Sequence, residues 1–231
     1  MRGRVAFAGM DAAQGRVLAT AAVAVAVVGY LPTWRVVRHV VTIAHEGGHA
    51  AVAVLVGRRL SGVRLHSDTS GVTVSRGRPT GLGVVAVLLA GYLAPSGLGL
   101  LAAWATSHGH APVTLYAALV LLAALLVVIR NVFGMFSVLL TGFAVFAVLW
   151  WAPVGWRVAA AQLLAWFLLV AGPRPVLELA AQRGSTRGRS DADQLAGLSH
   201  LPALVWTGAF LVVTAAALVL GGRWLVAPVL G

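Results

Sequence analysis

Long apolar runs, broken by short arginine-bearing segments, decide what this 231-residue chain can fold into. A run of about 20 apolar residues spans the hydrocarbon core of a bilayer as one helix. The chain is 60% hydrophobic and only 10% charged, whereas a soluble domain carries about 25% charged residues. We therefore predict an all-α polytopic membrane protein that forms a single domain over residues 1–231.

Seven apolar runs qualify as transmembrane helices, and six remain if the first or the sixth fails. The first run resembles a signal peptide, but no cleavage site precedes Thr33, so we interpret it as a retained span. The sixth is short enough to be tilted or partly re-entrant. The predicted spans are approximately Val17–Leu31, Val36–Val56, Leu82–Trp104, Val113–Ile129, Val132–Trp151, Val158–Ala171 and Ala203–Leu220.

The arginines indicate the orientation of the chain in the membrane. A net charge of +11 would suggest nucleic acid in a soluble protein, but here the 17 arginines lie mainly between apolar runs. With the N-terminus in the cytoplasm, 13 of them fall on the cytoplasmic side and only Arg35, Arg38, Arg157 and Arg223 on the other. This asymmetry follows the positive-inside rule. We predict a cytoplasmic N-terminus and no nucleic-acid partner.

The second span contains His45-Glu46-Gly47-Gly48-His49. Positions i and i+4 share one face of a helix, so the two imidazoles can hold one Zn²⁺ while Glu46 takes a proton from a water. Ionisable groups cost about 2.5–3.5 kcal/mol each inside a bilayer and usually mark a functional site. The alternatives are a polar patch between helices or a proton relay. Because the chain has no cysteine, further ligands must be His, Asp or Glu.

Two polar stretches interrupt the spans, at about residues 58–79 and 173–202. In the first, Val63, Leu65, Val72 and Val74 alternate around the turn-forming segment 68–71, which predicts a β-hairpin directly after the motif helix. Its strand edge offers a site where an extended substrate peptide can add by β-augmentation. An ordinary solvated loop explains the same pattern equally well.

A catalytic zinc site needs a third protein ligand. The candidates on the same predicted side of the membrane as the motif are His66, Asp68, Glu178, Asp191 and Asp193. Ser190 or Asp191 is a plausible N-cap of a helix, and Asp191 and Asp193 are two positions apart, so only one of them should face the metal. Asn131 lies in a predicted tight turn between spans four and five, from which it can reach inward as a hydrogen-bond donor.

Five motifs carry a resemblance to a known family: HEGGHA, SGVT, AGYLAP, RNVFG and SDADQLA. Together they cover about residues 40 to 206. The chain resembles the site-2 protease family of intramembrane zinc metalloproteases, and within it the small bacterial and fungal branch. The Leu-Asp-Gly ligand motif and the Asn-Pro element of the wider family are missing, and Ser190-Asp191-Ala192 stands in that place.

The resemblance implies a zinc metalloendopeptidase with one Zn²⁺ per chain, held by His45, His49 and Asp191, with Asp193 as the alternative third ligand. It implies Glu46 as the catalytic acid–base, with Asn131 supporting the oxyanion or the substrate. The substrate would be the transmembrane segment of a membrane protein, cleaved near the cytoplasmic side of a bacterial cell membrane. The competing hypothesis is a transporter of protons or divalent metal that uses the same His, Glu and Asp residues.

Overall fold

A computed structural model describes residues 12–181 and 190–230 of the chain. Within these ranges it contains helices and one antiparallel hairpin. In chain order the elements are α1 (Ala12–Gly29), α2 (Leu31–Leu55), β1 (Arg59–Leu65), β2 (Gly71–Arg76), α3 (Leu82–Ser107), α4 (Ala111–Val128), α5 (Val132–Trp151), α6 (Val154–Ala171), α7 (Pro173–Ala181), α8 (Asp191–Ser199) and α9 (Ala203–Leu230).

Six helical stretches of the described chain are long and apolar enough to cross a membrane. They are Ala12–Gly29, Leu82–Ser107, Ala111–Val128, Val132–Trp151, Val154–Ala181 and Ala203–Pro228. The predicted second span is the 25-residue helix α2, which is not one of the six because its histidines, arginines and glutamate lower its hydropathy. The protein is therefore a polytopic helical membrane protein, in which the most polar long helix carries the histidine motif.

Two spans extend further than the sequence predicted. The sixth was expected to be short, but α6 begins at Val154 and the helical backbone continues through Gly172 (φ −57°, ψ −48°) into α7. Pro173 does not stop it, since proline is tolerated in the first turn of a helix. The last span continues through Gly221 to Leu230, and at Gly221 the lack of a side chain leaves room for Leu169. The prediction that the sixth span is short is thus wrong, since the apolar helical stretch runs over Val154–Ala181. The segment 182–189 that follows it lies outside the described residues.

The hairpin lies along α2 rather than below it. Its turn is anchored where the Thr42 hydroxyl donates to the carbonyl of Thr69 (2.8 Å), and its second strand where Thr73 contacts Glu46. Thr42 precedes the end of α2 by 13 residues, which at 1.5 Å per residue is about 20 Å of helix. The hairpin therefore folds back along α2 to the depth of the histidine motif. The hairpin and the motif lie at the same level of the helical bundle.

The segment around Ile129 pairs with the edge of β1 that faces away from β2. Val63 forms a parallel bridge with Ile129, and the Arg130 amide donates to the Val63 carbonyl at 2.8 Å. The buried side chains of Val63 and Leu65 pack with Ile129 of this segment and with Ile43 of α2. Strand β1 is therefore paired on both edges, and β2 carries the outer edge of the sheet.

Close contact between α2 and α3 depends on glycine. A Cβ atom added to Gly48 would overlap the Ala94 methyl group and lie 2.9 Å from the Ala90 carbonyl oxygen. The neighbouring Gly47 has no atom within 4 Å of the same position. The two helices can therefore touch at Gly48 while Gly47 faces open space.

We expect Gly48→Ala to destabilise the protein by about 1–3 kcal/mol, because the added methyl overpacks a backbone contact. The matched variant Gly47→Ala should be neutral or stabilising by up to about 1 kcal/mol, since alanine is the better helix former. Thermal unfolding in detergent, followed by circular dichroism, measures both. Equal unfolding temperatures for the two variants would contradict this account of the helix contact.

Candidate metal centre

Two histidines and one aspartate meet where α2, α3 and α8 approach each other. The Nε2 atoms of His45 and His49 are 3.1 Å apart. The Oδ2 atom of Asp191 lies 3.4 Å from the first of these nitrogens and 3.3 Å from the second. Within residues 12–181 and 190–230, this is the one group of three acidic or histidine side chains close enough to share a metal ion.

The donor set suits a zinc ion. Zn²⁺ binds histidine nitrogen and carboxylate oxygen at about 2.0–2.2 Å in a tetrahedron, so its ligand atoms lie about 3.3–3.6 Å from one another. The three separations in this centre, 3.1, 3.4 and 3.3 Å, are close to that range. Asp191 Oδ2 is buried and has no hydrogen-bond partner among the described residues. A cation between the three atoms would satisfy this oxygen, so the residues fit the metal.

The His49 ring is oriented by a backbone carbonyl. Its Nδ1 lies 2.7 Å from the carbonyl oxygen of Val87 on α3. Because a carbonyl only accepts, Nδ1 carries a proton and donates it, so in the neutral ring the lone pair is on Nε2, the atom that faces Asp191. The imidazole is thus held in the tautomer that a metal ligand requires.

Gly91 makes room for both imidazoles. A Cβ atom at this position would lie 2.5 Å from Cε1 of His49 and 2.7 Å from Cε1 of His45. The next residue, Tyr92, places its ring edge-on against His45, with 4.9 Å between ring centroids. The Ala-Gly-Tyr sequence of α3 therefore forms one wall of the centre.

Asp191 reaches the histidines because it is the first residue of α8. Ser190 is the N-cap, and α8 is fixed in place by the buried side chains of Ala192 and Leu195, which pack with Val176 and Phe210. Burial disfavours the charged form of Asp191, but hydrogen bonds from the imidazoles in their protonated form outweigh burial and hold its pKa well below the usual range. The carboxylate also stands at the positive end of a helix dipole, which favours its anionic form.

The other candidate third ligands are engaged elsewhere. Asp193 forms a capping box with Ser190, whose hydroxyl donates to Asp193 Oδ2 at 2.7 Å. Glu178 pairs with Arg38 (3.1 Å) and accepts from the Trp34 indole (2.7 Å). At the hairpin turn, Ser70 lies between the other two candidates. Its hydroxyl donates to the carboxylate of Asp68 and is 3.1 Å from Nδ1 of His66.

Glu46 is buried, with 4% of its surface exposed, and it faces the hairpin. The Thr73 hydroxyl donates to Glu46 Oε2 at 2.6 Å and lies 3.1 Å from the Glu46 carbonyl oxygen. A Cβ atom at Gly71 would lie 2.6 Å from Oε1 of the same carboxylate. Strand β2 therefore encloses the acid that follows His45.

Asn131 lies at the hairpin and not beside the histidines. Its Nδ2 donates to the Leu65 carbonyl (2.6 Å), and its Oδ1 accepts from the Leu65 amide (3.2 Å). The amide thus holds strand β1 through both its donor and its acceptor groups. The contribution of Asn131 to the oxyanion or the substrate stays a prediction.

Comparison with known protein families identifies the family of this chain. The family model described as Peptidase M50B-like matches residues 17–221. The chain belongs to this family. The matched range contains the histidine motif, the hairpin and Asp191, so this M50B-like chain is a member of the site-2 protease family. No curated protein and no solved structure matches it significantly.

Several residues of the M50B-like centre were absent from the sequence prediction. Val87 contributes only a backbone carbonyl, for which a side-chain pattern gives no signal. Thr73 ends the SGVT motif, but only its contact with Glu46 across 27 positions shows what its hydroxyl does. Gly91 belongs to the AGYLAP motif, but the motif gives no signal that this glycine faces the imidazoles.

We expect Asp191→Asn to weaken zinc binding by more than about 100-fold, which exceeds the usual loss for a residue outside the ligand set. Asp193→Asn should leave zinc affinity unchanged and cost only about 1 kcal/mol of stability through the weakened cap. Zinc titration of the purified protein against a chelating indicator measures the affinity. If Asp193→Asn loses zinc as Asp191→Asn does, the assignment of the third ligand is wrong.

Proposed function

We propose that this M50B-like protein is an intramembrane zinc metalloprotease that hydrolyses peptide bonds in or near the transmembrane segments of membrane proteins. The observation that carries the proposal is the meeting of His45, His49 and Asp191 beside the buried Glu46, in a bundle of membrane-spanning helices. A polar patch between helices would not need a buried carboxylate oxygen that lacks a hydrogen-bond partner. We infer that the whole chain acts as one catalytic domain.

In the proposed mechanism, neutral His45 and His49 would hold one Zn²⁺ through their Nε2 lone pairs, and Asp191 would hold it through Oδ2. When bound, Zn²⁺ supplies Lewis acidity, which polarises a carbonyl oxygen and acidifies a water molecule. Glu46 takes the proton of the attacking water and later gives it to the nitrogen of the leaving amine. Val87 keeps His49 in its tautomer through the cycle.

Substrate must reach the centre as an extended chain, because a helical peptide bond is shielded by its own hydrogen bonds. Strand β1 is already paired with β2 and with the segment at Ile129. Among the described residues, β2 is the strand whose outer edge has no partner. Since Thr73 of β2 contacts Glu46, a peptide added to that edge would run close to the catalytic acid.

The proposed orientation places the centre toward the cytoplasmic side of a bacterial cell membrane. His49 is six residues from the end of α2, or about 9 Å along the helix axis. The hairpin that follows α2 is rich in arginine, as are the segments predicted to be cytoplasmic. Positive residues favour that side of the membrane.

We expect Glu46→Gln to abolish cleavage of a single-span model substrate in proteoliposomes while zinc remains bound at one ion per chain, because the amide cannot accept the proton. His45→Ala should lose both zinc and cleavage. Gel analysis of the products and metal analysis of the same samples give the two readings. Normal cleavage by Glu46→Gln would refute the assigned chemistry, and ion flux without cleavage by the wild-type protein would favour a transporter.

A further inference from the structure

The carboxylate of Glu46 is held by the hairpin on two sides. Thr73 donates its hydroxyl hydrogen to Oε2 at 2.6 Å. Gly71 lies against the rest of the carboxylate, since any side chain there would come within 2.6 Å of Cγ and of Oε1. Both residues lie on the face of β2 that is turned toward α2.

From this geometry we propose that Thr73 is a positioning residue for Glu46, and that β2 couples the catalytic acid to the docking of substrate. The inference rests on the proposed protease function. A glutamate side chain has three rotatable bonds, so an acid without restraint would spend much of its time away from the attacking water. One hydrogen bond from a rigid strand selects the arrangement in which the carboxylate is ready to act.

Strand β2 suits this role because one face contacts α2, the other face is exposed, and its outer edge is unpaired. Thr73 points toward α2, whereas Val72 and Val74 on the opposite face are 48% and 47% exposed. The backbone edge of β2 that faces away from β1 has no partner strand within the described residues. A substrate strand added there would pair with the same strand whose Thr73 holds the carboxylate. Substrate docking and positioning of the acid would then occur on the same six residues.

The chain offers a matched control for this bond. Thr42 also donates a hydroxyl hydrogen bond from α2 to the hairpin, to the Thr69 carbonyl at 2.8 Å. That bond anchors the turn of the hairpin but does not involve Glu46. Removing either hydroxyl loosens the attachment of the hairpin, and only removal of the Thr73 hydroxyl frees the carboxylate.

The first experiment compares Thr73→Val, Thr73→Ser and Thr42→Val in the full-length, zinc-loaded protein with a single-span substrate. Valine keeps the shape of threonine and removes the hydroxyl. We expect Thr73→Val to lower kcat by about 10- to 100-fold, as is usual for a partner of a catalytic group, with KM and zinc content unchanged. Thr73→Ser should restore kcat, and Thr42→Val should keep it. An unchanged kcat in Thr73→Val, or an equal loss in Thr42→Val, would overturn the proposal.

The second experiment needs no turnover. A peptidyl hydroxamate binds to a metal centre and passes its acidic proton to the neighbouring carboxylate, so its affinity reports whether Glu46 is in position. We expect Thr73→Val to weaken binding of this probe, and to have no further effect in a Glu46→Gln background. Additive losses in the double variant would show that Thr73 acts independently of Glu46, and the proposal would fail. If the wild-type protein binds the probe but cleaves no membrane segment, the protease function fails while this coupling is still measured.

Discussion

The contact between one carboxylate and two imidazoles is the interaction on which the rest of this structure depends. His45 and His49 come from α2, and Asp191 comes from α8, more than 140 positions later in the chain. Each of these groups is expensive to place at membrane depth, so it is stable there only if its partners are present. The centre is therefore both the most costly part of the fold and the point at which distant helices must meet.

Glycine and small residues determine whether that meeting can occur. Gly48 lets α2 touch α3, and Gly91 leaves space for both imidazoles. Between helices in a membrane there is little hydrophobic driving force, so close backbone contact supplies much of the attraction. The same contact brings the Val87 carbonyl within 2.7 Å of His49. Helix association and ring orientation thus have one common cause.

The sequence predicted local features well and long-range contacts poorly. The spacing of His45 and His49 fixes their shared face, and the valine alternation around residues 68–71 correctly placed the hairpin. The sequence could rank Asp191 above Asp193 as the third metal ligand but could not decide between them, because both residues lie in the first turn of α8. What separates them is the capping box of Ser190 with Asp193, which depends on the rotamers of two side chains.

The pairing of the hairpin explains how its polar backbone groups can lie within an apolar helical bundle. A strand pair needs partners for its backbone groups, and in lipid an open edge has none. One edge of this sheet is closed by the segment at Ile129 and Asn131, and the inner face is buried against α2. The outer edge of β2 is left beside Glu46. The backbone groups that lipid would leave unsatisfied are therefore well placed to pair with an extended peptide, and in the proposed function substrate binding would offset the cost of the open edge.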